Sequence, residues 1–177
     1  MKEKHEILSQ LKEAVGPENA DADKEICFAY ARDQFSPVMG DLVPDYVVKP
    51  GSREEVQKVL RLAAREGIPL QPMIHGTNCG GLALATSGGI LVDMRRMNRI
   101  LEVSEVSMAA VIEPAVTWGQ LEKEANKKGL YVDKPMGPST GSPVGSWSSW
   151  NMSIYFGSAP ADKVLSLEVV LPDGEIL

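Results

Sequence analysis

Between residues 45 and 81 a strand, a capped helix, a second strand and a glycine-rich loop follow one another without a break, and that succession restricts the fold more than anything else in the chain. Asp45-Tyr46-Val47-Val48-Lys49-Pro50 reads as a short strand. Gly51-Ser52 then opens a helix, with Ser52 and Glu55 at the S-x-x-E spacing of a capping box, which satisfies orphan N–H groups at a helix start. Val56, Val59, Leu60 and Ala63 fall on one helical face, and Gly67 stands where a C′ residue belongs. Residues 69–74 form the next strand and run straight into Gly76-Thr77-Asn78-Cys79-Gly80-Gly81. The unit is β-α-β, for which the crossover is right-handed.

Composition narrows what such a unit serves. A chain of 177 residues suits one domain or two small subdomains sharing a core. With 44% hydrophobic and 24% charged residues it is ordinary globular material. A net charge of −6 argues against a nucleic-acid surface, which needs clustered Lys and Arg. No apolar run approaches the roughly 18 residues of a membrane span, and Met1-Lys2-Glu3-Lys4-His5-Glu6 is no signal region. A reduced, cytoplasmic setting is expected from two cysteines without metal-type spacing, Cys27 and Cys79. With His5 and His75 they make no zinc set, so no metal is expected. No Ser-His-Asp arrangement shows, and no catalytic residue can be named.

The remaining elements follow in order. Ile7, Leu8, Leu11, Ala14 and Val15 recur at helical spacing until Gly16-Pro17 stops them. A second helix over residues 23–32 groups Ile26, Cys27, Tyr30 and Ala31, and both helices are expected on the outside of the domain. Residues 33–44 are a connection. After the glycine loop, residues 89–94 read as a buried strand, 95–98 turn the chain, 100–103 pair back, and 108–113 add another strand. Thr117 and Gln120 form a second capping box, Val116 and Leu121 a hydrophobic staple, and Gly129 closes that helix. Residues 138–146 are a second small-residue loop leading into Trp147-Ser148-Ser149-Trp150-Asn151, whose tryptophans read as packing residues. Residues 164–171 read as a long strand, Pro172-Asp173-Gly174 as a turn and 175–177 as its return. The class is α+β.

Two loops carry the chemistry. Glycine lets a ligand approach the backbone with no Cβ in the way, and consecutive N–H groups in such a turn hold anions, most often phosphates. A pyrophosphate cradle and a plain glycine-rich surface loop are both open for residues 72–81. The second loop is either a close-approach surface or a Gly/Ser/Pro connection. Cys79 has no histidine placed to activate it, so it reads as a loop-packing residue.

Taken as an ordered set, these pieces resemble one family over residues 5–177. The set comprises residues 45–50, Ser52-Arg53-Glu54-Glu55-Val56, Gly67-Ile68-Pro69-Leu70, and Gly76-Thr77-Asn78 with Gly80-Gly81. Val92-Asp93-Met94 and Arg96-Met97-Asn98-Arg99-Ile100 follow, then Glu113-Pro114-Ala115-Val116-Thr117-Trp118-Gly119-Gln120-Leu121. Pro143-Val144-Gly145, Asn151 and residues 167–174 complete it. The chain resembles the FAD-binding (PCMH-type) domain of the vanillyl-alcohol oxidase/p-cresol methylhydroxylase flavoproteins, closest to their glycolate oxidase and D-lactate dehydrogenase branch. The resemblance implies two α/β subdomains with FAD between them, a helical leader over residues 1–44 and the FAD-binding domain over 45–177. It implies that Ile74, His75, Gly76, Thr77, Asn78, Cys79, Gly80 and Gly81 hold the FAD pyrophosphate. Pro138, Ser139, Gly141, Ser142, Val144, Gly145, Ser146, Ser149 and Asn151 would line the flavin and ribityl part.

The implied function is the FAD-binding part of an oxidoreductase that takes a hydride from an alcohol or 2-hydroxy acid onto flavin N5. The alternatives are an electron-transfer subunit without its own substrate site and a 4-cresol or vanillyl-alcohol type of phenol oxidoreductase. Histidine-linked members carry His directly after the loop glycines, where Thr77 stands here, so non-covalent FAD is expected. The usual I-G-G of the second loop is Val144-Gly145-Ser146. The family domain continues to a late glycine-rich strand and a substrate domain. A three-residue return for the strand over 164–171 therefore implies a C-terminally incomplete fold, completed by a second polypeptide or a continuation.

Overall fold

A computed structural model describes residues 3–33, 36–77, 80–134, 137–149 and 163–177, with the side chains of 147–149 left aside. The chain divides into two compact units, Met1–Arg96 with Glu168–Leu177, and Met97–Leu167.

In the first unit, α1 (Lys4–Val15) is followed by the two-residue strand β1 (Ala20–Asp21), the short helices α2 (Lys24–Phe28) and α3 (Ser36–Met39), then β2 (Tyr46–Val48), α4 (Arg53–Glu66), β3 (Leu70–Met73) and β4 (Ile90–Asp93). The sheet order is β1-β2-β4-β3, with β4 parallel to both β2 and β3 and β1 antiparallel at the edge. The β-α-β unit expected from residues 45–74 is present, with β4 inserted between its two strands.

Both faces of this sheet are covered, which is why β2 and β4 are buried throughout instead of alternating. Tyr46, Val48, Ile90 and Val92 face a core shared with Ile7, Leu11 and Val15 of α1 and with Val59, Leu62 and Ala63 of α4. Val47 and Leu91 point the other way and pack with Cys27 of α2, with Tyr30 and Met73 alongside. The helix expected to lie outside the domain, α1, is thus a wall of the core, with Leu11 fully buried. The second helix is shorter than its apolar spacing implies, and its Ile26 is exposed.

Ser52 caps α4 by accepting from the Glu55 N–H at 3.3 Å. The reciprocal half of the capping box is redirected. The Glu55 carboxylate accepts from the Gly51 N–H at 2.7 Å and meets the Arg96 guanidinium at 3.2 Å. The buried face of α4 runs through Val56, Val59, Leu62 and Ala63, with Leu60 only half-buried. Gly67 ends the helix in the left-handed conformation, as its position implies.

The long strand expected over residues 164–171 is not formed. Val170 bridges Ile176, flanked by hydrogen bonds between Val169 and Leu177 and from Leu171 to Glu175. An apolar run becomes a strand only where a neighbour pairs it, and among the described residues 164–168 have no ladder partner. The turn itself is as expected, with Gly174 at φ 79° and its N–H donating to the Leu171 carbonyl at 2.8 Å. Gln57 and Arg61 of α4 hold it by donating to the Gly174 carbonyl.

The second unit holds β5 (Ile100–Ser104), β6 (Ala109–Ile112), α5 (Trp118–Asn126) and α6 (Pro143–Ser149). The strand over 100–103 does not pair back onto β4. It forms an antiparallel hairpin with β6. Four residues separate these strands, short enough for a hairpin to be the local solution. The Thr117–Gln120 capping box is complete, and Val116 and Leu121 are both buried. The loop expected over 138–146 ends early, because Pro143 begins α6. Proline at the first helical position loses only an N–H that has no intrahelical partner anyway.

Candidate functional site

Parallel strands bring their carboxyl ends to one edge of a sheet, where ligands bind in open α/β folds. Here that edge gathers the ends of β2, β3 and β4, with Met73 paired to Asp93. The glycine loop leaves it from Met73. Gly76 and Gly81 have φ values of 63° and 73°, in the left-handed region. Thr77 and Gly80 are exposed, while Ile74, His75, Gly76 and Gly81 are half-buried. Asn78 and Cys79 lie outside the described residues. Among the described residues, a Cβ built on Gly80 would meet Leu82 at 3.9 Å, an ordinary van der Waals contact. The Gly81 N–H donates to the Asp33 carboxylate at 3.1 Å, and Gln71 braces the loop exit by donating to the Leu82 carbonyl at 2.8 Å.

Beside the loop stands a cluster that the sequence reading missed. Asp93 is 2% exposed. Its carboxylate accepts from the Tyr30 hydroxyl at 2.9 Å, from the Arg95 N–H at 3.0 Å and from Arg95 Nε at 2.9 Å. Burial alone would raise its pKa, but the hydrogen bonds from Arg95 and Tyr30 prevail and hold it below the usual carboxylate range. Burial and the neighbouring Asp93 push the Tyr30 phenol up. The guanidinium of Arg95 stays a cation and is half-exposed. An acidic residue closing an apolar strand and followed by two arginines was the available signal.

In the second unit the other loop is exposed over residues 138–140 and buried from Gly141 to Pro143. The Gly141 and Ser139 carbonyls accept from the Trp118 and Gly119 N–H groups, both at 2.9 Å, and so satisfy the first turn of α5. Pro138 closes a turn by accepting from the Gly141 N–H at 2.9 Å. Ser142 is buried and caps α6. Its hydroxyl donates to the Pro114 carbonyl at 2.5 Å and accepts from the Val144 N–H at 3.1 Å and, more weakly, from the Gly145 N–H at 3.4 Å. The Ser146 hydroxyl accepts from Trp118 Nε1 at 3.4 Å. Val144, Gly145 and Ser146 make up the first turn of α6. The Ser149 side chain and Asn151 lie outside the described set.

The donor chemistry of the first loop fits a diphosphate. It offers left-handed glycines and an exposed threonine, and the one carboxylate seen on it, that of Asp33, lies at its exit on the Gly81 N–H. An open groove of about 310 Å³, lined by Lys4, Asp45, Tyr46, Pro69 and Gly89, lies at the opposite, amino-terminal edge of the sheet. Among the described residues no metal-binding cluster of His, Cys, Asp and Glu occurs, and no helix is long and apolar enough to cross a membrane.

A family described as an FAD binding domain matches residues 44–177. The mitochondrial cytochrome-type D-lactate dehydrogenase of Arabidopsis thaliana is 31% identical over 97% of the chain, which covers 30% of that protein. Glycolate oxidase subunit GlcD of Bacillus subtilis is 29% identical over 97% of the chain, covering 37% of it. The structure of 4-ethylphenol oxidase from Gulosibacter chungangensis superposes on 98% of the chain and 34% of its own length, with a TM-score of 0.86 and 32% identity. The chain thus spans about a third of the length of these relatives. With its parallel sheet, its glycine loop and this match over most of its length, the chain belongs to the PCMH-type FAD-binding domain family of flavoproteins.

Proposed function

We propose that this chain is the cofactor-holding part of an FAD-linked oxidase or dehydrogenase acting on an alcohol or 2-hydroxy acid. The observation that carries the reading is the loop after β3, with Gly76 and Gly81 both left-handed at the carboxyl edge of a parallel sheet in a chain of this family. The bound flavin supplies the redox step by accepting a hydride. The protein's share is to bind and orient. Residues 74–81 take the pyrophosphate on backbone N–H groups other than that of Gly81, which Asp33 holds, and the surface around residues 138–146, with Ser149 and Asn151, takes the flavin and ribityl part. Thr77 leaves no histidine after the loop glycine, so FAD is held without a covalent bond.

Residues 1–44 serve as a helical leader and 45–177 as the FAD-binding domain. Substrate-contacting groups come from sequence corresponding to the part of the relatives that this match does not span, on a continuation or a second polypeptide. A reducing compartment such as the cytoplasm suits the buried, free Cys27. A second reading, oxidation of a 4-alkylphenol, is favoured by the 4-ethylphenol oxidase structure at 32% identity.

The deciding experiment is an FAD titration of the purified chain, followed by visible absorption and flavin fluorescence. Saturable binding with a shifted flavin spectrum is the expected result. A folded chain that leaves the FAD spectrum unchanged at cofactor excess would refute the reading.

A further inference from the structure

We infer that Asp33 is a positioning residue that clasps the exit of the glycine loop; its cofactor role rests on the pyrophosphate assignment above. The loop begins after Met73 and closes at Gly81. Met73 packs on the buried trio Cys27, Val47 and Leu91, and Tyr30 packs on the same trio. Three residues later, Asp33 accepts from the Gly81 N–H at 3.1 Å, across 48 residues of sequence. Asp33 therefore holds the exit of the loop, and Tyr30 sits on the same buried cluster as the strand end from which the loop leaves.

The segment that carries both is itself braced. The Tyr30 hydroxyl donates to Asp93 at 2.9 Å, which anchors it at the end of β4. The Ser36 hydroxyl accepts from the Asp33 N–H at 2.8 Å, and Arg32 makes two hydrogen bonds to Asp41, at 2.6 and 2.9 Å. The Leu42 N–H donates to the Ala31 carbonyl at 3.1 Å. A carboxylate accepting from a backbone N–H makes one of the stronger hydrogen bonds available to a loop. With its exit held, Gly81 has less conformational freedom to lose when a ligand binds, and that raises affinity without a direct contact.

The test compares wild type with Asp33→Ala, Asp33→Ser and Asp33→Asn in the full chain. Amide exchange at Gly81 and its neighbours is measured without FAD, and FAD affinity separately. Asparagine keeps an acceptor oxygen in the same place, whereas alanine has none and a serine hydroxyl is too short to reach. In Asp33→Ala, or in Asp33→Ser should the alanine variant not fold, Gly81 exchange should quicken and FAD binding weaken, each about tenfold. Asp33→Asn should restore both to within about threefold of wild type. Unchanged Gly81 exchange in Asp33→Ala, or an asparagine variant no better than alanine, would overturn the clasp. Quickened exchange with unchanged FAD affinity would uphold the clasp and overturn the pyrophosphate assignment instead.

Discussion

The Tyr30 hydroxyl donates to the Asp93 carboxylate at 2.9 Å, joining the covering layer of α2 to the carboxyl end of β4 across 63 residues. Asp93 is charged and almost fully buried, so its partners carry unequal weight. Removing Arg95 leaves a buried carboxylate short of its cation, while removing the phenol leaves the ion pair intact. Arg95→Met should cost about 2 kcal/mol, below the range for a fully buried pair because the guanidinium is half-exposed and Tyr30 and the Arg95 N–H remain. Tyr30→Phe should cost about 1 kcal/mol. Urea unfolding with an unchanged m-value checks both. Equal costs for the two variants would contradict the ranking.

Stability should depend on acid in a defined direction. Burial opposes the charged form of Asp93 and of Glu113, yet hydrogen bonds from Arg95 and Tyr30, and from Arg99, outweigh it and depress both native pKa values. A depressed carboxylate contributes stability that is complete above its unfolded pKa, near 4. That contribution is lost as pH falls through the native value. Urea midpoints should be level from about pH 7 to pH 5 and fall below about pH 4. Glu113 accepts from the Arg99 N–H at 2.7 Å and from its guanidinium at 2.6 Å. Glu113→Gln should therefore lower stability at neutral pH and flatten the acid limb.

Backbone shape gives a sharper contrast at two glycines. Gly89 has φ 76°, and a Cβ there would lie 2.2 Å from the Pro69 carbonyl oxygen. Gly67 has φ 64° with nothing among the described residues within 4 Å of its Cβ position. Gly67→Ala should cost about 1 kcal/mol from the left-handed conformation alone. Gly89→Ala should cost on the order of 3 kcal/mol or more, because the clash is with main chain that cannot swing aside. Thermal unfolding of the two variants side by side tests this.

The two loop glycines should separate conformation from access. Gly76 is in the left-handed region, whereas Gly80 is exposed. Gly76→Val should abolish FAD retention by strain in the loop, with little change in global unfolding. Gly80→Val should weaken FAD only by crowding its approach. Unchanged FAD affinity in a folded Gly76→Val protein would refute the loop assignment.

Attachment of the flavin is tested more simply. With Thr77 after the loop glycine, acid precipitation of FAD-loaded protein should release all the yellow colour to the supernatant. Colour retained in the washed pellet would contradict non-covalent binding.

What the sequence determined by itself is what short-range chemistry dictates. Ser52, Thr117 and Gly67 mark helix ends through bonds made within a few residues, and each stands where its pattern implies. Pro172-Asp173-Gly174 makes its turn for the same reason. The glycine loop was legible because left-handed φ values select glycine at the residue itself. Tertiary structure decided everything that depends on a distant partner. The apolar run over 164–171 carries strand character but, among the described residues, has no pairing strand over most of its length. Residues 100–103 chose β6 over β4. Ser142 and Pro143 read as loop until the Pro114 carbonyl and the start of α6 gave them partners. Asp93 and Asp33 looked like two of many acids. Only the fold brings Tyr30, Arg95 and Gly81 to them, because a hydrogen bond between residues 48 or 63 apart leaves no periodicity in the sequence.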